Sequence, residues 1–172
     1  MKINVVGLGY IGLPTALMFA AKEVDVVGTD YNSELVKTLN SGQVTFEEKG
    51  LKELYDNAVS KNITFSTEYI STDIYIVAVA TTYDKFSKKV DASYVISAVE
   101  CVLKVCPKGA IIVIESTVSP GTIEKCVKPI VERHGFVIGK DIHLVHAPER
   151  IIPGNMIYEL EHNSRTIGAD EK

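Results

Sequence analysis

The chain has 172 residues, 46% hydrophobic and 23% charged, with a net charge of −4. That length supports one domain with a substantial core and is short for two. The acidic balance, with a pI near 5.6, argues against a nucleic-acid partner or an anionic membrane surface.

The first predicted strand is the short apolar run at residues 3–6. It stops at Gly7, and a helix-compatible stretch follows over residues 11–21. Between them the glycines are spaced G-x-G-x-x-G: Gly7 permits a tight turn, Gly9 lets a pyrophosphate approach the backbone, and Gly12 lets helix and strand pack closely. The helix N-terminus adds unpaired N–H groups and partial positive charge. Pro14 falls in the first helical turn, where its missing N–H costs nothing. A second strand, residues 24–28, leads to Asp30, 18 residues beyond Gly12. An acid at that spacing, at the tip of the second strand, is placed to hold an adenosine ribose hydroxyl. It also repels a 2′-phosphate, and neighbouring Tyr31 and Asn32 offer no arginine, so NAD is expected over NADP. The bland alternative is an ordinary turn and a solvated strand-end carboxylate.

Further along, residues 33–40 read as a helix, 43–49 as a polar loop, 50–60 as a short helix and 63–65 as a short strand. Residues 74–80 form a continuous apolar run, a strand buried on both faces. Lys85, Lys88 and Lys89 make a basic cluster in a loop, read as a solvated face. Asp91 is expected to cap a helix whose apolar side chains are Tyr94, Val95, Ala98, Val99, Val102 and Leu103. Pro107 to Gly109 ends it, and residues 110–114 are another buried strand. Ser119 as cap and Pro120 as first residue are expected to open the next helix, which Pro129 can kink and Gly135 closes. Residues 142–146 form a strand, and 165–168 a weaker last one.

This alternation predicts an α/β fold, a doubly wound, mostly parallel sheet with helices on both faces. Ligands then bind outside the carboxyl ends of the strands. Gly7–Gly12, Asp30, Thr81-Thr82, Ser116-Thr117 and Pro148-Glu149-Arg150 all fall at such ends. Thr81 and Thr82 can place hydroxyls beside a nicotinamide ribose or simply terminate a strand. Ser116-Thr117 can serve the cofactor, position a water or cap a helix. Glu149 can act as a general base or hold a water, or it can pair with Arg150. His134, His143, His146 and His162 show no ligand spacing, and His146 reads as structural. No apolar run reaches the roughly 18–20 residues of a membrane span. Residues 2–21 lack a cleavage-site pattern, so no secretory leader is expected. Cys101, Cys106 and Cys126 fit neither a disulfide framework nor a metal spacing, which points to a reducing, cytoplasmic setting.

Taken together, the motifs resemble the UDP-glucose/GDP-mannose dehydrogenase family over essentially the whole chain. The resemblance rests on V-V-G-L-G-Y-I-G-L-P (5–14), L-N-S-G (39–42), I-V-A-V-A-T (76–81), E-S-T-V-S-P-G-T (115–122) and P-E-R-I-I-P-G-N (148–155). It implies a Rossmann-like domain that binds NAD, within an enzyme that oxidises the primary alcohol of a UDP-sugar to a carboxylate by two hydride transfers. In the family the aldehyde stage is trapped on a cysteine and the thioester is hydrolysed. By resemblance, Gly9, Tyr10 and Ile11 hold the pyrophosphate and Asp30 the adenosine ribose. Ala80, Thr81, Ser116 and Thr117 lie near the nicotinamide. Thr117 and Glu149 orient the hydrolytic water, and Arg150 lies on the substrate side. Two departures stand out. Val79-Ala80-Thr81-Thr82 replaces the family's V-P-T-P, and the family's cysteine and lysine belong to later domains. The 172 residues alone are therefore expected to bind NAD without turning over substrate, and the full-length protein to be a homo-oligomer. Two alternatives remain at this point: a 6-phosphogluconate or β-hydroxyacid type of dehydrogenase, and a non-catalytic dinucleotide-sensing module.

Overall fold

The computed structural model describes residues 1–86 and 88–169. The side chain of Lys89 lies outside the described part, as do residues 170–172 of the expected 1–172 domain. The elements are β1 (Lys2–Val6), α1 (Gly12–Ala21), β2 (Asp25–Thr29), α2 (Ser33–Asn40), α3 (Leu51–Val59), β3 (Ile63–Ser66), β4 (Ile74–Val77), β5 (Thr82–Asp84), β6 (Lys89–Asp91), α4 (Ser93–Leu103), β7 (Ala110–Ile114), a π-helical turn (Ile123–Val127), α5 (Lys128–Arg133), β8 (Ile142–His146), α6 (Met156–His162) and β9 (Gly168–Ala169). Seven strands form one sheet in the order β3-β2-β1-β4-β7-β8-β9. The first six are parallel, and β9 runs antiparallel at the edge, pairing Val145 with Ala169 and His146 with Gly168.

The strands alternate between two cores, as period-2 geometry requires. Ile3, Val5, Ile74 and Ile76 face α1, α2 and α3, with Leu13, Leu17, Leu39, Leu51 and Tyr55 packed against them. Val6, Tyr75, Val77, Ile112 and Ile114 face α4 and α5, against Val95, Val99, Val102, Ile130 and Val131. Helices thus cover both faces, as expected for strands that read as continuous apolar runs. Among the described residues, no helix is long and apolar enough to cross a membrane.

Several local expectations are corrected. The strand expected over 74–80 stops at Val77, where pairing with β1 and β7 ends. Lys85 and Lys88 lie exposed in a turn, as expected of the basic loop, but Lys89 begins β6, which pairs antiparallel with β5, Thr82 opposite Asp91. Asp91 does cap, accepting from the Ser93 N–H at 2.8 Å, but it does so from the end of β6, with Ala92 between it and α4. Ser119 and Pro120 do not open a helix. The Thr122 N–H bonds to the Ser119 carbonyl, and Gly121 follows at φ +83°, a left-handed conformation that no right-handed helix continues. The chain then enters the π-helical turn, which runs without a break into α5, and Pro129 sits at that junction. α6 was not foreseen, and the strand expected over 165–168 begins only at Gly168.

Candidate functional site

The carboxyl ends of β1, β4 and β7 open onto a cleft of roughly 850 Å³. Gly7, Gly9, Tyr10, Ile11, Ala80, Thr81, Ser116, Thr117 and Glu149 line it, bringing together residues spread over more than 140 positions of sequence. Gly12, Asp30 and Arg150 stand outside that lining.

At the glycine loop, each glycine answers a distinct steric demand. Gly7 has φ +90°, and a Cβ there would lie 2.9 Å from the Ala78 carbonyl oxygen. A Cβ on Gly12 would lie 1.8 Å from the Gly7 carbonyl oxygen, so only glycine lets α1 start so close to the turn. A Cβ on Gly9 would meet nothing within 4 Å. Its environment is open space on the cleft side, where a diphosphate can approach the backbone. The first turn of α1 carries no acidic side chain to compete with such an anion.

Asp30 is nearly buried, at 9% exposure. Its Oδ2 accepts from the Leu8 N–H at 2.8 Å, and its Oδ1 from the Asn32 N–H at 2.9 Å. These bonds fix the carboxylate and still leave each oxygen capacity to accept from a ribose diol. Tyr31, 80% exposed, runs nearly parallel to Tyr94, with ring centroids 6.4 Å apart and planes inclined by 15°. Tyr69 and Cys101 lie deeper on the same side of the cleft. Burial, with Cys101 and Asp30 nearby, pushes the Tyr69 hydroxyl up to about 12. Helical periodicity assigned Tyr94 to the core; it is in fact 45% exposed and faces the cleft.

The opposite end is polar. The Thr81 hydroxyl donates to the Thr117 carbonyl at 2.8 Å, and the Ser116 hydroxyl donates to the Val79 carbonyl at 2.7 Å. These bonds tie the β4 and β7 loops together and hold both threonines at the rim. Glu149 does not pair with Arg150, as adjacency suggested. Its Oε1 accepts from the Arg150 backbone N–H at 2.7 Å, while its Oε2 meets Arg165 Nη2. Arg150 turns its guanidinium to the Ser164 carbonyl at 3.4 Å. Arg165 also pairs through Nη1 with Glu115, which lines the cleft floor and accepts from the Thr15 hydroxyl at 3.2 Å. Burial raises the Glu115 carboxyl pKa above the ordinary carboxylate value, although Arg165 and Thr15 pull it down. His146 Nε2 is buried without a hydrogen-bond partner.

Glu48, Glu115 and Arg165 are polar groups that sequence reasoning passed over. Glu48 lies in the loop read only as polar, and it accepts from the Tyr10 hydroxyl and the Gly154 N–H. Glu115 was visible in the E-S-T-V motif, one residue before the pair singled out.

The NAD binding domain of the UDP-glucose/GDP-mannose dehydrogenase family matches residues 1–172. The chain belongs to that family. NAD is its cofactor, and the open face of Gly9, the acid-free start of α1 and the oriented Asp30 fit that group. Among relatives, the UDP-N-acetyl-D-mannosamine dehydrogenase of Methanococcus aeolicus is 44% identical over 99% of this chain and 39% of its own length. That of Pyrococcus horikoshii is 40% identical over 98% of this chain and 41% of its own. The solved UDP-N-acetyl-mannosamine dehydrogenase Cap5O from Staphylococcus aureus superposes with a TM-score of 0.94 at 44% identity, covering 98% of this chain and 42% of that one. The chain thus spans about two-fifths of the length of the relatives it matches.

Proposed function

We propose that this chain is the cofactor-binding part of an NAD-dependent dehydrogenase that oxidises the C6 primary alcohol of UDP-N-acetylmannosamine to the uronate in two hydride transfers. NAD supplies the hydride acceptor. The residues of this chain bind it, orient it and hold a carboxylate beside it. Gly9, Tyr10 and Ile11 take the diphosphate at the start of α1, and Asp30 takes the adenosine ribose. Ala80, Thr81, Ser116 and Thr117 border the nicotinamide. Thr117 and Glu149 orient the water that releases the acid, and Arg150 serves the sugar-nucleotide side.

One observation carries this reading. Glu149, from the P-E-R-I-I-P-G-N segment, and Thr117 line the same cleft as the glycine loop. A dinucleotide sensor needs Gly9 and Asp30 but has no use for a buried carboxylate at the far end. The relatives' names favour UDP-N-acetylmannosamine over other hexoses. The free cysteines suit a cytoplasmic setting, and a homo-oligomer belongs to the same reading of the complete protein.

The test is a panel of UDP-glucose, GDP-mannose, UDP-N-acetylmannosamine and 6-phosphogluconate offered with NAD to the complete protein carrying this domain. NADH formation is expected with UDP-N-acetylmannosamine at two equivalents per sugar. Preference for 6-phosphogluconate, or no NADH from any of the four, overturns the reading. The 172-residue chain alone is expected to bind NAD and give no turnover, because hydride transfer needs substrate held within a few ångströms of the nicotinamide.

A further inference from the structure

We propose that Arg165 is the positioning residue for Glu149, fixing that carboxylate in the cleft; the role deepens the function proposed above and rests on it. The Glu149 side chain is 4% exposed, and Arg165 is the cation against it. A carboxylate so far out of water must have its charge met. The Arg165 guanidinium against Oε2 meets the charge, and the Arg150 N–H donates to Oε1; Oε2 has that ion pair and no hydrogen bond. Two contacts on two oxygens fix the plane of the carboxylate as well as its place.

Arg165 is itself held. Its second nitrogen pairs with Glu115, whose side chain is 1% exposed, and Glu115 in turn accepts from Thr15 on α1. A continuous polar chain therefore runs from the helix that begins at the glycine loop, through Glu115 and Arg165, to Glu149. The backbone that delivers Arg165 is held by β9, paired antiparallel with β8, the strand that leads to Glu149. Only a planar, forked cation can serve both carboxylates in this way; a lysine offers one point of charge. Sequence adjacency favours Arg150 as the partner, yet Arg150 gives Glu149 only its backbone N–H.

Two measurements test this, one independent of the substrate. In the 172-residue chain, nitrogen NMR should show Arg165 Nη signals slowed by pairing, and Glu149→Gln should remove part of that restriction while Glu115 retains the rest. Freely rotating Arg165 signals in the unsubstituted chain overturn the proposal whatever the enzyme does. In the complete enzyme, Arg165→Met should lower kcat by about tenfold or more with the KM for NAD nearly unchanged, since small misplacements of reacting groups cost that much. Arg165→Lys should recover part of the loss. A role confined to anchoring β9 would instead lower the melting temperature and leave kcat of the folded fraction intact, which also overturns it. If the unsubstituted enzyme oxidises no nucleotide sugar while the NMR pairing is present, the functional reading has failed and takes this role with it.

Discussion

Tyr10 and Glu48 are 38 residues apart in sequence and joined by a hydrogen bond of 2.7 Å, the tyrosine hydroxyl donating. Glu48 also accepts from the backbone N–H groups of Gly154 at 2.9 Å and Met156 at 3.3 Å. One carboxylate thereby fastens the glycine loop to the P-E-R-I-I-P-G-N segment at the other side of the site.

Removing that fastening should be visible in the tyrosine. Burial first, and then Glu48, push the Tyr10 hydroxyl up to about 12. Glu48→Ala should move it part of the way back toward the ordinary value of about 10. Carbon NMR of ring-labelled tyrosine, assigned with Tyr10→Phe, reads the change, and an unmoved Tyr10 would refute the coupling. The raised value means that the folded state holds this proton more tightly. The associated stability is complete below about pH 10 and is lost as pH rises through about 12.

The glycines separate folding from binding. Gly12→Ala forces a Cβ to within 1.8 Å of a backbone oxygen, and overpacking of this kind should destabilise the chain by about 3 kcal/mol, the upper end of the usual cost. Gly9→Ala meets nothing within 4 Å, so its melting temperature should hold while NAD affinity falls about tenfold or more as the methyl occupies diphosphate space. Equal losses of stability in the two variants would contradict this account of the loop.

Asp30→Asn should weaken NAD binding by about tenfold, in line with the loss of a charge-assisted hydrogen bond. The same variant should narrow the preference for NAD over NADP, because the repulsion of a 2′-phosphate goes with the charge. Calorimetric titration of the 172-residue chain with both cofactors checks it. An unchanged NAD/NADP ratio would show that Asp30 does not face the ribose.

Asp141 sets an acid-side dependence remote from the cleft. Its carboxylate accepts from the Val137 N–H at 3.1 Å and pairs with Lys108 at 3.0 Å. The backbone hydrogen bond chiefly, helped by Lys108, holds its pKa below the ordinary carboxylate value. A depressed folded value gives stability that is present above about pH 4 and lost as pH falls through that lower value. The melting temperature of the unsubstituted chain should exceed that of Asp141→Asn at neutral pH, and the two should converge in strong acid.

Much of the fold was legible because its signals are local. The runs at 110–114 and 142–146 became β7 and β8 with the same bounds, and residues 33–40 became α2, opened by Asn32 accepting from Glu34 and Leu35. The failures were also local signals, outvoted by neighbours. Ser119-Pro120 has a helix-opening pattern, but Gly121 turns the chain left-handed. Tyr94 has a core periodicity, but it lies at the open start of α4, beside the cleft.

The amino-acid order by itself determined the glycine turn, the acid beyond the second strand and the alternation that makes a parallel sheet, because each depends on spacing along one strand or helix. It also determined that the polar motifs gather at one rim, since every parallel strand in such a sheet ends on the same side. Only the folded chain decided which charges meet there. Glu149 lies beside Arg150 in sequence and pairs with Arg165, and Glu48 reaches Tyr10 and Gly154 from a loop with no periodicity. Those contacts depend on where β9 docks on β8 and how far each loop extends, and a guanidinium has no hydrophobic period to announce its partner.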